Sequence, residues 1–453
     1  MTSRVDAAIR IRTWLAPAVG LLGVLGITGL RVMTLAGMSP SGIDGGNWLA
    51  FGSVERAGVA YPPIVPFLFS QLVALLGPTI ATSVAGATAI GLPAIAILAL
   101  ATWAGRPMVG VFAALFVIAS PVLGEAIAWG GYPQPIATAA AVLALVALAM
   151  YIRDGRLQAL GAFGIAFAVV AGTSHLVAVP TALAAVVIVV AHLRRSRTRL
   201  LRAIRAGLVA CIPLALLAPT YLALFATLGL ASPSGSDVAR ILGPYWIAYP
   251  AALAVVVVAA LFVRFGQIGT LNGRDEALVA AAAAASIAWG AAFVASGEPR
   301  LLYDLPTLVP FGVVALIPVA ASFAMTRRMR FGLAAAALAI CTEFVGSGLS
   351  AFPTQVAFYH VMTPGELAAM RWLGNQPMAA DQVLVADRAG VPLGWWAEGL
   401  IGHEALYASE LRWLRFDTER ERSRTANVLL YQSGFPDSAS AARMVTAGIR
   451  YVL

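Results

Sequence analysis

A lone aspartate in a glycine-rich stretch is the first residue of this chain that could perform chemistry. Asp44 lies in IDGGNWLAFGSVERAGVAYPPIVP, residues 43–66, directly after the first apolar run. A general base for a hydroxyl must be ionised and within hydrogen-bond reach of the proton it takes. The flanking glycines allow the backbone to approach a ligand and let the carboxylate turn inward. A second interpretation remains open, in which Asp44 caps a helix over 47–56.

Further candidates follow two later apolar runs. Glu125 precedes the motif WGGYPQP, which contributes Trp129 and Tyr132. The carboxylate could orient a polyhydroxylated ligand, and the aromatic rings could stack on it. In the alternative interpretation, Glu125 is a solvated loop residue and the aromatic residues anchor the chain at the membrane interface. His175 stands in GTSHLVAVP between two apolar runs. A hydrogen-bonded structural histidine is the first interpretation there, and a ligand contact is the second.

A third cluster opens a late apolar run. The stretch EPRLLYDLP places Arg300, Tyr303 and Asp304 within five residues of one another. An arginine here could bind an anion through charge-assisted hydrogen bonds, or its side chain could snorkel to the membrane interface. In the stretch 43–66, Arg56 is the candidate for binding an anion, and Tyr61 is a candidate for contact with the ligand.

Composition decides the environment in which these residues work. The chain is 60% hydrophobic and 11% charged, against roughly 45–50% and 25% for soluble domains. Most of the chain must therefore be solvated by lipid. All 30 basic residues are arginine, and the net charge is +9. Because these arginines cluster between apolar runs, they indicate topology determinants and lipid headgroup contacts, and no nucleic-acid partner is expected.

The apolar runs predict an all-α polytopic membrane protein with about eleven transmembrane helices. The positive-inside rule places the N-terminus in the cytoplasm and the polar, glycine-rich loops on the outer face. That assignment requires residues 62–77 to form a short or re-entrant helix that does not cross, because a crossing would move the arginine run at 194–205 outside. The alanine, arginine and glycine bias favours the plasma (inner) membrane of a GC-rich bacterium.

Residues 1–350 are predicted to form the transmembrane domain, and 351–453 a small extracytoplasmic α/β domain. Thr363 to Glu366 reads as a capping box with proline at the first helical position, beginning a helix that ends near residue 375. Strands are predicted at 383–386, 427–431 and 450–453, with a helix at 438–446. No nucleotide-binding or zinc motif occurs in this tail.

Three motifs together resemble the GT-C superfamily of membrane glycosyltransferases, which use polyprenyl-phosphate sugar donors. An aspartate after the first transmembrane helix, followed by G-x-x-Y-x-P-P at 58–63, resembles the first outer loop of that superfamily. Ala119-Ser120-Pro121 with Glu125 resembles the second outer loop, where an aspartate is more usual. The stretch 300–306 resembles an R-x-L-x-x-L-P motif. The motifs and the soluble tail cover nearly the whole chain, although each motif is short.

The resemblance implies roles for the candidates. Asp44 would be the catalytic base, and Glu125 would orient the acceptor or hold a divalent cation such as Mg²⁺ or Mn²⁺ with Asp44. Arg300 or Arg56 would bind the donor phosphate. The substrate-binding residues would be Tyr61, Trp129, Tyr132, Tyr303, Asp304 and His175.

The implied reaction is inverting transfer of a sugar to an outer-face glycan, lipid or protein. Two alternatives stay open: a transporter or flippase for a lipid-linked or small polar substrate, and an inactive GT-C-like scaffold. A transporter should place charged groups near the bilayer midplane, whereas the polar residues here gather in the predicted outer loops.

Overall fold

The structure is a computed structural model that describes most of the chain in eleven segments of differing length and one isolated residue. The described residues are 2–38, 40–54, 59–193, 197–227, 241–242, 247–264, 271–322, 327–387, 393–411, 414, 416–432 and 437–453.

Eighteen α-helices are described within these segments. They are α1 Thr2–Gly37, α2 Ile43–Ser53, α3 Ile64–Trp103, α4 Pro107–Ala119, α5 Pro121–Ala128, α6 Pro133–Asp154, α7 Leu157–Thr173, α8 His175–Leu193, α9 Arg197–Leu216, α10 Ala218–Thr227, α11 Ala248–Arg264, α12 Gly273–Ser296, α13 Leu305–Ser322, α14 Arg327–Phe358, α15 Pro364–Gly374, α16 Leu393–Ile401, α17 Asp417–Asn427 and α18 Ser438–Thr446. A 3₁₀ helix, Pro299–Asp304, joins α12 to α13.

The helices up to α14 form an integral-membrane bundle. Six described helices are long and apolar enough to cross a bilayer, and the number rises to eight if each of two bent pairs counts as one span. Helices α7 and α11 contain shorter apolar segments. Each of the eleven apolar segments expected from the sequence overlaps a described helix. Large apolar side chains such as Leu22, Ile165 and Leu222 are exposed on the outside, as expected where lipid is the solvent.

One end of the bundle, called here the arginine end, is held by cations. Arg106 pairs with the buried Asp275, and Arg274 donates to the Trp103 carbonyl at 2.7 Å. Arg202 donates to the backbone carbonyl of Ile152 at 3.0 Å. These residues lie where α3, α6 and α12 end or begin. The predicted separation of arginine loops from polar, glycine-rich loops is therefore present in the fold.

The opposite end, called here the site end, holds the loops with the candidate residues. Helix α3 begins there and has non-helical backbone at Gly77 (φ 77°, ψ 161°). Phe69 stacks on Tyr132 with ring centroids 6.2 Å apart, and a Cβ added at Gly86 would lie 4.0 Å from the same tyrosine. In a straight helix Phe69 and Gly86 would be about 25 Å apart. The chain therefore turns back at Gly77, which supports the expectation of a short or re-entrant helix before it.

The tail contains a three-stranded parallel sheet in the order β2-β1-β3, formed by Val383–Ala386 (β1), Leu406–Ala408 (β2) and Tyr451–Val452 (β3). The first and third predicted strands, the helix at 438–446 and the Thr363 capping box are present. The predicted strand at 427–431 is wrong: α17 ends there and continues as a π-helical turn, Val428–Gln432. The periodicity of a short apolar run does not distinguish a helix from a strand. Strand β2 was not predicted, because three residues are too few to show the alternation of a strand.

The predicted domain division at residue 350 remains a prediction. Helix α14 passes through that position without a break and ends at Phe358. Tail and bundle are in direct contact, because α16 packs on α2.

Candidate functional site

Asp44 lies in the first turn of α2, where the backbone N–H groups of a helix lack intrahelical partners. The helix begins at Ile43, and its N-cap is Gly42 with a φ of 89°, a left-handed conformation that favours glycine. The interpretation of Asp44 as the cap of a helix over 47–56 is therefore wrong. The Asp44 N–H donates to the Trp129 carbonyl at 2.9 Å, and its side chain is half-buried.

The glycines after Asp44 serve helix packing. A Cβ at Gly45 would lie 2.6 Å from the Trp396 ring, and one at Gly46 would lie 2.4 Å from the Trp396 backbone nitrogen. The Trp396 indole N–H also donates to the Gly42 carbonyl at 3.0 Å. Gly45 and Gly46 thus let the tail helix α16 pack closely against α2, in the space that the sequence suggested for a ligand.

The second polar loop is bonded to the first. The Trp48 indole N–H donates to the Gly130 carbonyl at 2.6 Å. Gly130 has a φ of 96°, and a Cβ there would lie 2.9 Å from the Gly45 nitrogen. Together with the Asp44–Trp129 bond, these contacts fix WGGYPQP against the start of α2.

Glu125 lies on α5 and accepts two phenolic hydroxyls. The Tyr359 hydroxyl donates to its Oε1 at 3.0 Å, and the Tyr303 hydroxyl donates to the same oxygen at 3.4 Å. Trp129 lies beside Tyr303, with ring centroids 5.8 Å apart. Glu125 is half-buried, so the two hydroxyls hold its carboxylate at the margin of the site.

Arg300 lies in the 3₁₀ helix and forms a two-point ion pair with Glu298, Nε to Oε1 at 2.8 Å and Nη2 to Oε2 at 2.9 Å. Its carbonyl accepts the Gln134 side-chain N–H at 2.6 Å, which ties the 3₁₀ helix to α6. Arg300 also interacts electrostatically with Asp44 and Tyr61. The fold therefore brings the predicted base and the predicted phosphate ligand into one electrostatic environment.

Two tyrosines and a histidine lie around Asp44. Burial raises the pKa of the Tyr61 and Tyr132 phenols; the Arg300 charge lowers the pKa of Tyr61, and the Asp44 charge raises the pKa of both to a smaller extent than burial does. Both therefore stay protonated and can donate a hydrogen bond. His175, the first residue of α8, is 4% exposed and packs edge-on against Tyr61 with centroids 5.5 Å apart. Tyr61 also lies against Trp48.

Asp304 is 1% exposed and faces the helix bundle. Its carboxylate accepts the Trp289 indole N–H at 2.7 Å and the Thr138 hydroxyl. These bonds join the 3₁₀ helix to α6 and α12, which supports a structural role, and the predicted substrate contact of Asp304 remains untested.

Two predictions stand without structural support. Arg56 lies outside the described residues. Among the described residues, no group of three or more His, Cys, Asp or Glu side chains could hold a metal ion. Asp44 and Glu125 would offer a divalent cation only two carboxylates, so the expectation of Mg²⁺ or Mn²⁺ stays a prediction.

Two residues of the site were missed from the sequence, Trp48 and Tyr359, and both make connecting hydrogen bonds in it. Trp396 of the tail makes a third. Trp48 is close to Asp44 in the chain, which was a usable signal. Nothing in the sequence joins Tyr359 or Trp396 to the loops that they contact.

Comparison with known proteins yields a match at the level of structure. No protein-family model matches the chain, and no curated protein matches it. The chain is similar to the crystal structure of ArnT from Cupriavidus metallidurans bound to undecaprenyl phosphate, at 15% sequence identity and a TM-score of 0.51, covering 94% of this chain and 91% of that one. The structure of the same protein in the apo state gives 15% identity, 94% and 90% coverage, and a TM-score of 0.47.

The likeness to the lipid-bound structure extends over the bundle and the tail, since nearly the whole of both chains is covered. At 15% identity it shows the fold alone. This chain is an integral-membrane protein that shares its overall fold with ArnT.

Proposed function

We propose that this protein is a membrane glycosyltransferase that moves a hexose or pentose from a polyprenyl-phosphate donor to a hydroxyl acceptor, with inversion at the anomeric carbon. The acceptor would be a glycan, lipid or protein at the outer face of the plasma (inner) membrane of a bacterium. The undecaprenyl phosphate bound by ArnT supports a lipid phosphate as the carrier.

The observation that carries the proposal is the joining of the Asp44 and Arg300 loops by the WGGYPQP loop. The Asp44 N–H donates to the Trp129 carbonyl at 2.9 Å, Trp129 lies against Tyr303 with ring centroids 5.8 Å apart, and Gln134 donates to the Arg300 carbonyl at 2.6 Å. Asp44 and Arg300 come from loops far apart in the chain, and they also interact electrostatically. A transfer from a phosphate carrier needs a base and a cation near the same reacting carbon. Glu125 stands beside them, held by Tyr303 and Tyr359.

In the proposed reaction the acceptor oxygen attacks the anomeric carbon while Asp44 takes the hydroxyl proton. The bond from that carbon to the phosphate oxygen breaks, and the electron pair leaves with the polyprenyl phosphate. Arg300 stabilises the growing negative charge. Its ion pair with Glu298 uses the N–H of Nε and one N–H of Nη2, so the two N–H groups of Nη1 and the second N–H of Nη2 point away from that pair and can donate to the phosphate.

The test uses the full chain, purified and reconstituted in lipid, with polyprenyl phosphates that bear different sugars and with bacterial envelope lipids and glycans as acceptors. Mass spectrometry follows the sugar-bearing product and the released polyprenyl phosphate. Asp44→Asn should lower transfer by about 10²–10⁴-fold, the usual contribution of a positioned base. Asp417→Asn, which changes an exposed tail carboxylate, is the matched control and should transfer at the wild-type rate.

Unchanged transfer by Asp44→Asn would remove Asp44 as the base. The transporter or flippase alternative makes a different prediction: the sugar-bearing lipid would change leaflets in the vesicles with its sugar-phosphate bond intact. That result would overturn the proposed enzyme.

A further inference from the structure

A carboxyl group faces lipid in the middle of α14. Glu343 is exposed on the outside of the bundle and has no hydrogen-bond or ion-pair partner within the described part of the chain. Its neighbour Phe344 is 2% exposed and stacks on Phe116 of α4, with ring centroids 4.0 Å apart. Because successive residues of a helix point about 100° apart, this stacking turns Glu343 away from α4.

The depth of Glu343 follows from distances along the helices. It lies about 24 Å from the first residue of α14, Arg327, and about 23 Å from the last, Phe358, at about 1.5 Å per residue. Phe116 marks the same level in α4 and lies about 15 Å beyond Arg106 of the arginine end. The hydrocarbon core of a bilayer is about 30 Å thick, so Glu343 lies near its middle.

The residues beside Glu343 on the outer side of α14 are small. Thr342, Gly346 and Ser350 follow one another at four-residue spacing, all three are exposed, and a Cβ added at Gly346 would meet nothing within 4 Å. Small residues at this spacing let the backbones of two transmembrane helices approach closely. The hydroxyls of Thr342 and Ser350 donate to carbonyls of their own helix at 2.9 Å and 3.0 Å, so their oxygens can still accept a hydrogen bond.

A glutamate at this depth needs an explanation. A carboxyl group that faces hydrocarbon has neither water nor protein as a hydrogen-bond partner, and ionisable residues of membrane-spanning helices almost always face protein or a water-filled cavity. Small residues alone would not indicate a partner, because they also occur where a helix faces lipid. The carboxyl group and the small residues on one side of α14 together indicate that another protein helix covers this side.

A second copy of this chain fits the exposed side of α14. Two carboxyl groups that meet in an apolar site share a proton instead of both ionising, so the Glu343 side chains of two copies would supply each other's hydrogen bond. The glycines would let the two helices approach across a two-fold axis, the commonest symmetry of homo-oligomers. A different partner would have to bring its own hydrogen-bond donor, such as an arginine, to the same depth.

We propose that this protein forms a two-fold dimer in the membrane through the side of α14 that carries Thr342, Glu343, Gly346 and Ser350, called here the α14 face. The dimer goes beyond the proposed glycosyl transfer, because none of these residues belongs to the candidate site. The residue after α14, Tyr359, holds Glu125, so the dimer would also brace the helix that positions this carboxylate.

The experiment follows association of the full-length protein in lipid vesicles. Two populations labelled with donor and acceptor dyes are reconstituted together over a range of protein-to-lipid ratios, and energy transfer gives the dissociation constant of the dimer. The wild type should dimerise as its density rises. Glu343→Leu and Gly346→Leu should each weaken the dimer about tenfold, as expected when one interhelical hydrogen bond or one close approach is lost. Glu343→Gln, whose amide both donates and accepts, should stay within about threefold of the wild type.

Gly26→Leu is the matched control for size. Gly26 on α1 is also exposed, and a Cβ there would meet nothing within 4 Å, so this variant should dimerise as the wild type does. Thermal unfolding in detergent should be the same for all four variants, because every one of these side chains points to lipid. That measurement separates a weakened dimer from a damaged fold.

Disulfide cross-linking locates the interface. In a background in which Cys211 and Cys341 are replaced by alanine, Gly346→Cys should cross-link two copies on mild oxidation. Ile165→Cys, on the lipid-facing side of α7 and 72% exposed in the wild type, is the control and should stay uncross-linked.

A wild type that stays monomeric at every density would overturn the proposal. Dimers that Glu343→Leu and Gly346→Leu leave unchanged would do the same, because they would form through another face. A synthetic polyleucine helix with one central arginine tests the other occupant. If a monomeric wild type binds that helix and Glu343→Leu does not, the α14 face takes a cationic partner helix and the second copy is refuted.

Discussion

At the residue scale, the Asp44 carboxylate is positioned by backbone contacts on both sides of it. The carbonyls of Gly42 and Trp129 accept hydrogen bonds from Trp396 and Asp44, and Gly45 and Gly46 let the Trp396 ring lie against α2. Asp44 can therefore have only a small range of positions. Displacing a catalytic group by about 1 Å can lower the rate of a reaction a hundredfold. Gly45 and Gly46 would therefore affect catalysis by fixing the position of Asp44.

Gly46→Ala tests this packing. Its Cβ would lie 2.4 Å from the Trp396 backbone nitrogen and 2.6 Å from the Cα of Trp396, and backbone atoms cannot swing aside. We expect a loss of about 1–3 kcal/mol in the free energy of unfolding, as for other overpacked sites, with reduced transfer. Thermal unfolding in detergent and the transfer assay measure both effects.

Gly26→Ala is the control for that substitution, because a Cβ at Gly26 in α1 would meet nothing within 4 Å. It should unfold at the wild-type temperature or slightly above. Equal unfolding temperatures for Gly26→Ala and Gly46→Ala would contradict the packing argument.

At the element scale, α5 is held by the last turn of α14 and the residue that follows it. The Gln355 side chain donates to the Pro121 carbonyl at 3.0 Å, and the Tyr359 hydroxyl donates to Glu125. Arg31 of α1 donates to the Ser120 carbonyl at the break between α4 and α5. An arginine at the C-terminus of a helix also interacts favourably with the helix dipole. The short helix with Glu125 is thus positioned by two helices far from it in sequence.

Tyr359→Phe removes the shorter of the two hydroxyl bonds to Glu125. If Glu125 orients the acceptor, the variant should raise the KM for the acceptor severalfold and leave the affinity for the lipid phosphate unchanged, because the carboxylate loses one of the hydrogen bonds that fix its position while it keeps the bond from Tyr303. Steady-state kinetics with varied acceptor provide the measurement.

Tyr431→Phe, at an exposed tyrosine of the tail, is the control and should match the wild type. An acceptor KM that stays the same in Tyr359→Phe would argue that Glu125 does not orient the acceptor.

At the scale of the whole molecule, the two ends of the bundle differ in charge. Arg106, Arg202 and Arg274 bind at the arginine end, whereas the site end holds Asp44 and Glu125. By the positive-inside rule, the site end is predicted to lie outside. The turn of α3 at Gly77 supports this prediction, because the loops alternate as the rule requires only if the segment before Gly77 does not cross.

Alkaline phosphatase, which is active only when exported, reports this orientation when fused after chosen residues. Fusions after Gly42, Leu76 and Leu453 should be active, and a fusion after Gly155 should be inactive. The pair Gly42 and Leu76 is the sharpest part of the test. An inactive fusion after Leu76 beside an active one after Gly42 would mean that residues 62–77 cross the membrane, and the orientation would be reversed from there on.

The sequence by itself determined the membrane class, the apolar helices and the identity of the candidate residues. These properties are local: a lipid-solvated helix needs a long apolar run, and a capping box is read within four residues. The GT-C resemblance could be seen because its motifs are short loop patterns. The strand predicted at 427–431 failed because so short an apolar run fits both the helical and the strand period.

Only the tertiary structure decided which candidates meet. It brought Asp44 near Arg300, placed Asp304 among packing partners, and brought Trp396 and Tyr359 into the site. Those contacts depend on the turn of α3 at Gly77 and on the docking of α16 against α2. Residues far apart in a chain meet only through the packing of whole elements, and a single sequence does not record which faces pack together.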